Sequence, residues 1–429
     1  MAINFFKGHP TERLTARLEI LEGAKKVLIP EYREGDDDDE IRHPLIYGTD
    51  PGALNVRQAI SKWSLRAHGE SDYGAIDPDS INLTNGASYG AQTVLQQCTA
   101  AQRGYTKQAF IVSPTYFLIN SVFEDAGFHG RMTSIEETEE KGIDLDYLQK
   151  QLEYYDSLPD ESGGLGGVDD MLGKQVPPRK IYRYVMYIVP TFSNPRGGTM
   201  PLPARQRLIA LARKHDMLLL CDDVYDLLDY RPPGSPRLPR LVTLDRNSNP
   251  TKHGNTVSNC TFSKLIGPGF RVGWQETTSP HLAQQFARGG AIKSGGSPAN
   301  LNTFIVREMI LDGKVDEVIF KLKKEFGQRS TEFIKHMKAS LPEGTTIQGG
   351  DGGYFFWVTL PNQYSTDKIT QRAKELGLVL APEEAFKVAD GQPLKPNRSS
   401  FRVSLSYTEI PDIAKGVSLW AQACKDSLA

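Results

Sequence analysis

The chain has 429 residues, 50 of them Lys or Arg and 52 Asp or Glu, and its formal net charge at pH 7 is −2. This length is enough for two domains, or for one large domain with a subsidiary layer. The near-neutral balance argues against nucleic acid or an anionic membrane as a partner, because both select for a basic surface.

The cysteine pattern and the N-terminus carry no targeting or metal signal. The four cysteines are scattered without the spacing of a metal site, so we expect reduced thiols and no metal. The apolar run at the N-terminus is too short for a signal peptide, and no run approaches the length of a membrane span. These features predict a cytoplasmic protein.

The first 46 residues predict one helix, over residues 11–24, followed by an acidic, irregular link. A turn at Tyr47-Gly48 then leads into a helix over residues 54–68, whose apolar face includes Trp63. By itself this turn indicates only the start of a helix.

A predicted strand over residues 81–85 leads into Gly86-Ala87-Ser88, which opens the next helix. Small residues at a helix N-terminus expose N–H groups that can bind an anion, although taken alone they favour an ordinary helix cap. The next strand, residues 109–112, ends in Ser113-Pro-Thr-Tyr116. The ring of Tyr116 is suited either to the core or to stacking on a ligand.

Three further predicted strands end in polar side chains. They are residues 184–190, which precede Asn194; residues 217–221, which precede Asp222 and Tyr225; and residues 256–264, which end in Ser263-Lys264. A predicted helix over residues 203–214 joins the first two, which makes a right-handed βαβ unit with parallel strands. In parallel sheets ligands bind at the carboxyl ends of the strands, so we expect these polar groups to share one crevice.

Lys264 is the residue that best indicates the chemistry of this crevice. An ammonium group at the end of a buried strand is costly, and a desolvated Lys loses its proton easily and attacks aldehydes. A Lys whose side chain reaches solvent is the alternative. An amine, the Asp222 carboxylate and the Tyr225 phenol in one crevice suit pyridoxal phosphate (PLP), with the Lys as Schiff-base partner and the carboxylate beside the pyridine nitrogen.

Other segments predict loops and a second layer. Residues 156–179, rich in Pro, Gly and acidic side chains, predict an exposed excursion, with a surface insertion favoured over a lid. Residues 231–246 and 285–300 also predict loops. The rest of the chain predicts an α+β unit. It consists of amphipathic helices to residue 340, short strands, and a closing helix over residues 411–427.

One strand of that unit, residues 400–406, alternates between an apolar and a polar face. Arg402 lies on the polar face. A strand with one solvated face is the simple explanation, but Arg is also the residue best suited to bidentate binding of a carboxylate.

The ordered set Asn194-Pro-Arg-Gly, Asp222-Asp-Val-Tyr225, Ser263-Lys264 and Arg271 resembles the fold-type I PLP enzymes, specifically the class I and II aminotransferases. The sequence is most similar to the branch of 2-aminoadipate, kynurenine and aromatic aminotransferases, from about residue 47 to residue 407. The resemblance implies an α/β fold with a mainly parallel central sheet, helices on both faces and a smaller α+β domain. We divide the chain into an N-terminal segment packing with the small domain (1–46), a large PLP domain (47–298) and a small domain (299–429).

The resemblance also implies roles for individual residues. Lys264 is expected to hold PLP as an aldimine and to move the substrate proton, while Asp222 pairs with the pyridine nitrogen. Tyr225 and Asn194 bind the ring oxygen, and Tyr116 stacks on the ring. The implied phosphate ligands are Gly86, Ala87, Ser88, Thr261, Ser263, Arg271 and, from the partner subunit of a homodimer, Tyr47. Arg402, with help from Asn194, is expected to bind the substrate α-carboxylate.

The implied reaction moves the amino group of a 2-aminoadipate-type or aromatic amino acid to 2-oxoglutarate. A PLP-dependent β-lyase on the same scaffold remains the alternative, because its residues around Lys264 are nearly the same. An aminotransferase-like transcription regulator is disfavoured, since no basic helix-turn-helix precedes Tyr47. Arg196 departs from the family, which commonly has Thr there, and we hypothesise that this cation favours acidic substrates.

Overall fold

An eight-stranded sheet forms the centre of the molecule in the computed structural model. The structure describes residues 2–31, 33–138, 142–159, 179–248, 250–392 and 399–428. The excursion predicted over residues 156–179 therefore falls largely, at residues 160–178, outside the described residues.

The strands, in chain order, are β1 (Ile3–Asn4), β2 (Ile81–Thr84), β3 (Gln108–Ser113), β4 (Met132–Thr138), β5 (Gly142–Ile143), β6 (Tyr184–Ile188), β7 (Met217–Asp222), β8 (Thr256–Thr261), β9 (Gly273–Thr277), β10 (Thr346–Gly349), β11 (Phe355–Leu360), β12 (Leu378–Val379), β13 (Ala381–Pro382) and β14 (Ser399–Ser404). The central sheet has the order β2-β9-β8-β7-β6-β3-β4-β5. Its five middle strands, β8, β7, β6, β3 and β4, are parallel to their neighbours in this group. The outer strands form antiparallel pairs: β9 with β8, β2 with β9, and β5 with β4. The predicted mainly parallel α/β sheet is confirmed.

The α-helices of the described residues are α1 (Arg17–Leu28), α2 (Leu54–Ala67), α3 (Ala87–Cys98), α4 (Ile119–Phe123), α5 (Leu145–Ser157), α6 (Leu202–Lys214), α7 (Leu241–Asn247), α8 (Pro280–Phe286), α9 (Gly290–Gly295), α10 (Asn300–Leu311), α11 (Lys314–Ser340), α12 (Thr366–Glu375) and α13 (Ile410–Leu428). None of them is both long enough and apolar enough to cross a membrane.

Both faces of the central sheet are buried. Successive residues of β7 alternate between two apolar clusters: Leu218 and Leu220 pack in one, and Leu219 and Cys221 in the other. All six residues of β7 are buried. A short, continuous apolar run is typical of a parallel strand covered by helices on both faces. The polar residue of β7, Asp222, is at its C-terminal end and therefore at the carboxyl edge of the sheet.

A second, antiparallel sheet has the order β10-β11-β14-β13, and all of its strands come from residues after 345. β1 pairs in parallel with β12, which ties the chain's N-terminal residues to the C-terminal part. The division into domains at residues 46 and 298 stays a prediction.

Two predicted element boundaries near the N-terminus and the site are wrong. The helix predicted over residues 11–24 is a 3₁₀ turn followed by α1, because the N–H of Ala16 bonds instead to the carbonyl of Ile266. The strand predicted to reach Lys264 ends at Thr261. The Thr261 hydroxyl accepts a hydrogen bond from the N–H of Ser263 and turns the chain into a 3₁₀ segment that ends at Lys264.

Two segments predicted as loops contain helices. The prolines of residues 231–246 all precede Arg240, whose N–H bonds to the buried Glu70 carboxylate, and α7 begins at Leu241. Within residues 285–300, α8 ends at Phe286 and the short helix α9 follows.

Candidate active site

The polar groups predicted at the strand ends line one cavity at the carboxyl edge of the central sheet. The predicted residues around it are Ala87, Ser88, Tyr116, Asn194, Asp222, Tyr225, Thr261, Ser263, Lys264 and Arg271. They come from the N-terminus of α3 and from the segments that follow β3, β6, β7 and β8. Parallel strands bring their carboxyl ends to the same edge, which explains why residues distant in sequence meet here.

Lys264 lies at the end of the 3₁₀ turn after β8, with its Nζ atom 5.9 Å from the ring centroid of Tyr225 and 5.7 Å from that of Tyr354. Burial lowers the pKa of Lys264 to about 8. The cations Arg402 and Arg271 also lower this pKa, whereas the Asp222 carboxylate raises it. At any given pH below this value, a larger fraction of this amine is therefore unprotonated and nucleophilic than of an exposed lysine.

Both carboxylate oxygens of Asp222 accept a hydrogen bond from a neighbouring strand. The Tyr187 hydroxyl donates to Oδ2 over 2.8 Å, and Asn259 Nδ2 donates to Oδ1 over 3.2 Å. Burial raises the pKa of Asp222 to about 6, while these two hydrogen bonds and Lys264 pull it down. A carboxylate held in this way can stay ionised at pH 7 and stabilise a cation placed against it.

Arg402 contacts Asn194 across the two sheets. Its Nη1 donates to Asn194 Oδ1 over 2.9 Å and its Nη2 to the carbonyl of Phe6 over 2.7 Å. The buried Nε has no partner among the described residues. Burial lowers the pKa of Arg402 to about 10, and its guanidinium carbon lies 4.1 Å from the ring centroid of Phe355. A buried cation with a free donor is suited to an anionic ligand.

A second part of the site, around Arg271 and the N-terminus of α3, is suited to an anion. Gly86 caps α3 with φ +97°, and a Cβ atom on it would lie 2.5 Å from Arg271 Nη2. Arg271 donates from Nη2 to the carbonyl of Asn85 and from Nη1 to Ser263 Oγ. Glycine thus permits close approach of the Arg271 cation to a helix N-terminus, which is the arrangement that binds phosphate groups.

The donor set fits PLP. The cavity is lined by an amine, a buried acid, a phenol and an anion site, and these suit the aldehyde, ring nitrogen, ring oxygen and phosphate of that cofactor. Among the residues that the structure describes, no group of three or more His, Cys, Asp or Glu side chains is placed to hold a metal ion.

Four of the candidate residues discussed above are outside the cavity lining. Gly86 and Arg402 adjoin it through Arg271 and Asn194, whereas Tyr47 and Arg196 lie apart. Tyr47 is 76% exposed and does not line the cavity of its own chain. Arg196 also lies outside the cavity lining. Its Nε donates to Gln348 Oε1 and its Nη1 to the backbone carbonyl of Glu137, so the guanidinium links the turn at Asn194 to β10.

Three contributing residues were not identified from the sequence. Tyr187 and Asn259 hold Asp222, and buried Glu137 accepts a hydrogen bond from Ser193 Oγ over 2.7 Å, next to Asn194. Burial raises the pKa of Glu137 to about 7. A polar group within a predicted strand was the available signal, since such a group needs a partner when it is buried.

Comparisons with known proteins agree with this geometry. The family described as aminotransferase class I and II matches residues 20–416. The chain is 44% identical to the uncharacterized protein YER152C of Saccharomyces cerevisiae, over 99% of this chain and 97% of that one. It is 26% identical to the 2-aminoadipate transaminase of Thermus thermophilus, over 100% of this chain and 91% of that one. It is also 26% identical to aromatic-amino-acid aminotransferase 1 of Thermococcus litoralis, over 90% of this chain and 81% of that one.

Solved structures share the fold over the whole chain. The kynurenine aminotransferase of Pyrococcus horikoshii superposes with a TM-score of 0.77 at 23% identity, covering 100% of this chain and 92% of that one. LysN, the α-aminoadipate aminotransferase of Thermus thermophilus, superposes with a TM-score of 0.74 at 22% identity, covering 100% and 93%. The family match spans most of the sequence, and the cavity fits the cofactor of that family. The chain therefore belongs to the class I and II aminotransferases and is a pyridoxal-phosphate-dependent transaminase.

Proposed function

We propose that this transaminase moves the amino group of a 2-aminoadipate-type or aromatic α-amino acid to 2-oxoglutarate, with Lys264 as the residue that bonds PLP. The observation that carries the proposal is the single cavity in which Lys264, Asp222 and Tyr225 meet, with Arg402 bonded to Asn194 at its side. The relatives named for 2-aminoadipate and aromatic substrates support the donor class.

Bound PLP supplies an electron sink that acidifies the substrate Cα proton. Lys264, lowered in pKa by burial, takes up and returns that proton as a general base and acid. Asp222 carries a negative charge against the ring nitrogen, which its two hydrogen bonds stabilise. Tyr225 and Asn194 orient the ring oxygen, and the α3 N-terminus with Arg271 holds the phosphate.

Arg402 selects α-amino acids in this proposal. Its buried guanidinium donates to Asn194 and to the carbonyl of Phe6, and its Nε–H is left to donate to a ligand carboxylate. Three aromatic rings, those of Phe6, Phe355 and Phe386, lie within 5.4 Å of the guanidinium carbon and exclude water from it. Exclusion of water strengthens the attraction between this cation and a carboxylate.

We place Tyr47 at the site of a partner subunit in a homodimer. Three consecutive apolar side chains are exposed on one chain: Leu45 is 63% exposed, Ile46 56% and Tyr47 76%. Together they form an apolar patch. Patches of this kind mark association surfaces. The transaminases named among the relatives favour amino transfer over a β-elimination on the same scaffold.

The test is an absorption spectrum of the PLP-loaded protein before and after addition of L-2-aminoadipate, and separately of L-phenylalanine, without any keto acid. The expected result is loss of the bound PLP band and appearance of the pyridoxamine form with at least one donor. Retention of the band while keto acid and ammonia accumulate would instead establish the lyase.

A matched pair of variants tests the role of Lys264. Lys264→Ala should abolish the covalent PLP band, whereas Lys321→Ala, which alters an exposed lysine paired with Glu19, should leave it intact. An unchanged band in Lys264→Ala would refute the assignment.

A further inference from the structure

Side chains from the two strands that flank β7 contact the carboxylate of Asp222. Tyr187 in β6 is in register with Leu220 of β7, two residues before Asp222 and therefore on the same face of the sheet. Asn259 in β8 is in register with Asp222 itself. Their exposed fractions are 1%, 1% and 8% for Tyr187, Asn259 and Asp222, so this contact is shielded from water.

Each partner takes a different oxygen of Asp222. Tyr187 donates to Oδ2 and Asn259 to Oδ1, at 2.8 and 3.2 Å. Two donors on opposite sides fix both the position and the rotation of the carboxylate. Because both bonds run from a neutral donor to a charged acceptor, they stabilise the ionised form of Asp222 over the protonated form.

Asn259 also contacts the phosphate end of the cavity. Its Nδ2 donates a second hydrogen bond, of 2.8 Å, to the carbonyl of Ala87 at the start of α3. The helix can approach this closely because residue 90 is glycine: a Cβ atom there would lie 2.2 Å from Asn259 Oδ1. One amide group thereby sets the distance between Asp222 and the N-terminus of α3.

We propose that Tyr187 and Asn259 are positioning residues of the transaminase, which hold Asp222 ionised and aligned with the cofactor ring nitrogen. This inference rests on the proposed role of Asp222 and adds the two groups that maintain it. Neither residue needs to touch the substrate. Their loss should therefore lower cofactor affinity and kcat and leave the KM for the amino acid nearly unchanged.

The sign of the pH effect follows from the groups around Asp222. Its charged neighbour is Lys264, which favours ionisation, and the phenols of Tyr116 and Tyr225 lie close enough for the carboxylate to raise their pKa. Removing the Tyr187 hydroxyl removes a donor to the charged form, so the pKa of Asp222 should rise above about 6. The acidic limb of the activity profile should move to higher pH.

The experiment compares Tyr187→Phe with Tyr184→Phe. Tyr184 lies in the same strand, is equally buried, and its hydroxyl donates over 2.7 Å to the carboxylate of Asp156. Apoprotein of each variant is titrated with PLP at pH 6.5 and pH 8. Tyr187→Phe should bind PLP about tenfold more weakly at pH 6.5, as expected for a lost hydrogen bond to a charged group, and less so at pH 8. Tyr184→Phe should match the wild type at both pH values.

The proposal is overturned if Tyr187→Phe binds PLP as the wild type does at both pH values, or if Tyr184→Phe shows the same pH-dependent loss. Asn259→Ala provides a second, independent test. This variant should bind PLP more weakly and have a lower kcat, with an unchanged KM for the amino acid. A wild-type protein that binds no PLP would instead refute the proposed function itself, and with it this inference.

Discussion

Arg402 Nη1 donates a 2.9 Å hydrogen bond to Asn194 Oδ1, although 208 positions separate the two residues. Arg402 lies in β14 of the antiparallel sheet and Asn194 follows β6 of the central sheet. The predicted carboxylate site is thus formed where the two sheets meet, and a ligand bound there contacts both.

Replacing Arg402 by Lys should raise the KM for the amino-acid donor and leave the PLP dissociation constant unchanged. Lys is a point charge without the planar fork, so at least one hydrogen bond to the carboxylate is lost. A charge-assisted bond contributes about 1.5–3 kcal/mol, which corresponds to a fall in kcat/KM of roughly 10- to 100-fold. Steady-state kinetics measure this. Arg207→Lys, which alters an exposed arginine paired with Asp146, is the control and should leave kcat/KM near the wild-type value.

The reaction of apoprotein with PLP should accelerate with pH and level off near pH 8. Burial lowers the pKa of Lys264 to about 8, so the amine is protonated below that pH and the rate rises about tenfold per pH unit. Because the Asp222 carboxylate raises the pKa of Lys264, Asp222→Asn should move the inflection below 8. Stopped-flow absorbance from pH 6 to pH 10 records it. An inflection near 10.5, the ordinary value for Lys, would contradict the site's electrostatics.

Asp222→Asn should reduce kcat on the order of 100- to 1000-fold, the range seen when one preorganised electrostatic group is removed. The adjacent Asp223→Asn is the matched control. Asp223 is also buried but does not line the cavity, and burial and the neighbouring Asp226 raise the pKa of its carboxyl well above the ordinary value. Turnover with saturating PLP distinguishes the two variants. Equal losses in both would argue against a specific role for Asp222.

Glu137→Gln should become more stable than the wild type as the pH rises. Burial raises the folded-state pKa of Glu137 from 4.5 to about 7, so between these values the folded protein binds more protons than the unfolded chain. The wild type therefore loses stability as pH rises through this window, by roughly 3 kcal/mol in total, whereas Gln does not titrate. Urea unfolding of both apoproteins at pH 5 and pH 8 tests this. A difference between them that does not change with pH would contradict it.

Mixed dimers should reveal the proposed role of Tyr47. Lys264→Ala and Tyr47→Ala are each expected to impair both sites of a homodimer. A heterodimer of the two variants contains one site with Lys264 and a partner's intact Tyr47, so refolding them together should recover activity. Activity that never exceeds the sum of the two separate variants would show that Tyr47 acts only within its own chain or not at all.

Local patterns predicted much of the fold and of the site. Asn194 and Asp222 follow continuous apolar runs, and Lys264 follows a mixed run that is also typical of a strand. Such runs become buried strands whose ends meet at one sheet edge. The same patterns placed α2 and α6 close to their observed ends. They missed α7, because the prolines before it resemble a loop while the burial of Arg240 against Glu70 is a long-range contact.

The sequence by itself determined the α/β architecture and the polar groups at the strand ends, because periodic burial and strand-end chemistry are local properties. The resemblance carried by the ordered set from Asn194 to Arg271 implied the cofactor class. Only the tertiary structure decided that Tyr187 holds Asp222 and that Arg402 meets Asn194. In the sequence Tyr187 is one more aromatic residue in an apolar strand, and its hydroxyl gains a function only from the neighbouring strand. Such contacts depend on strand order and sheet packing, which no short stretch of sequence encodes.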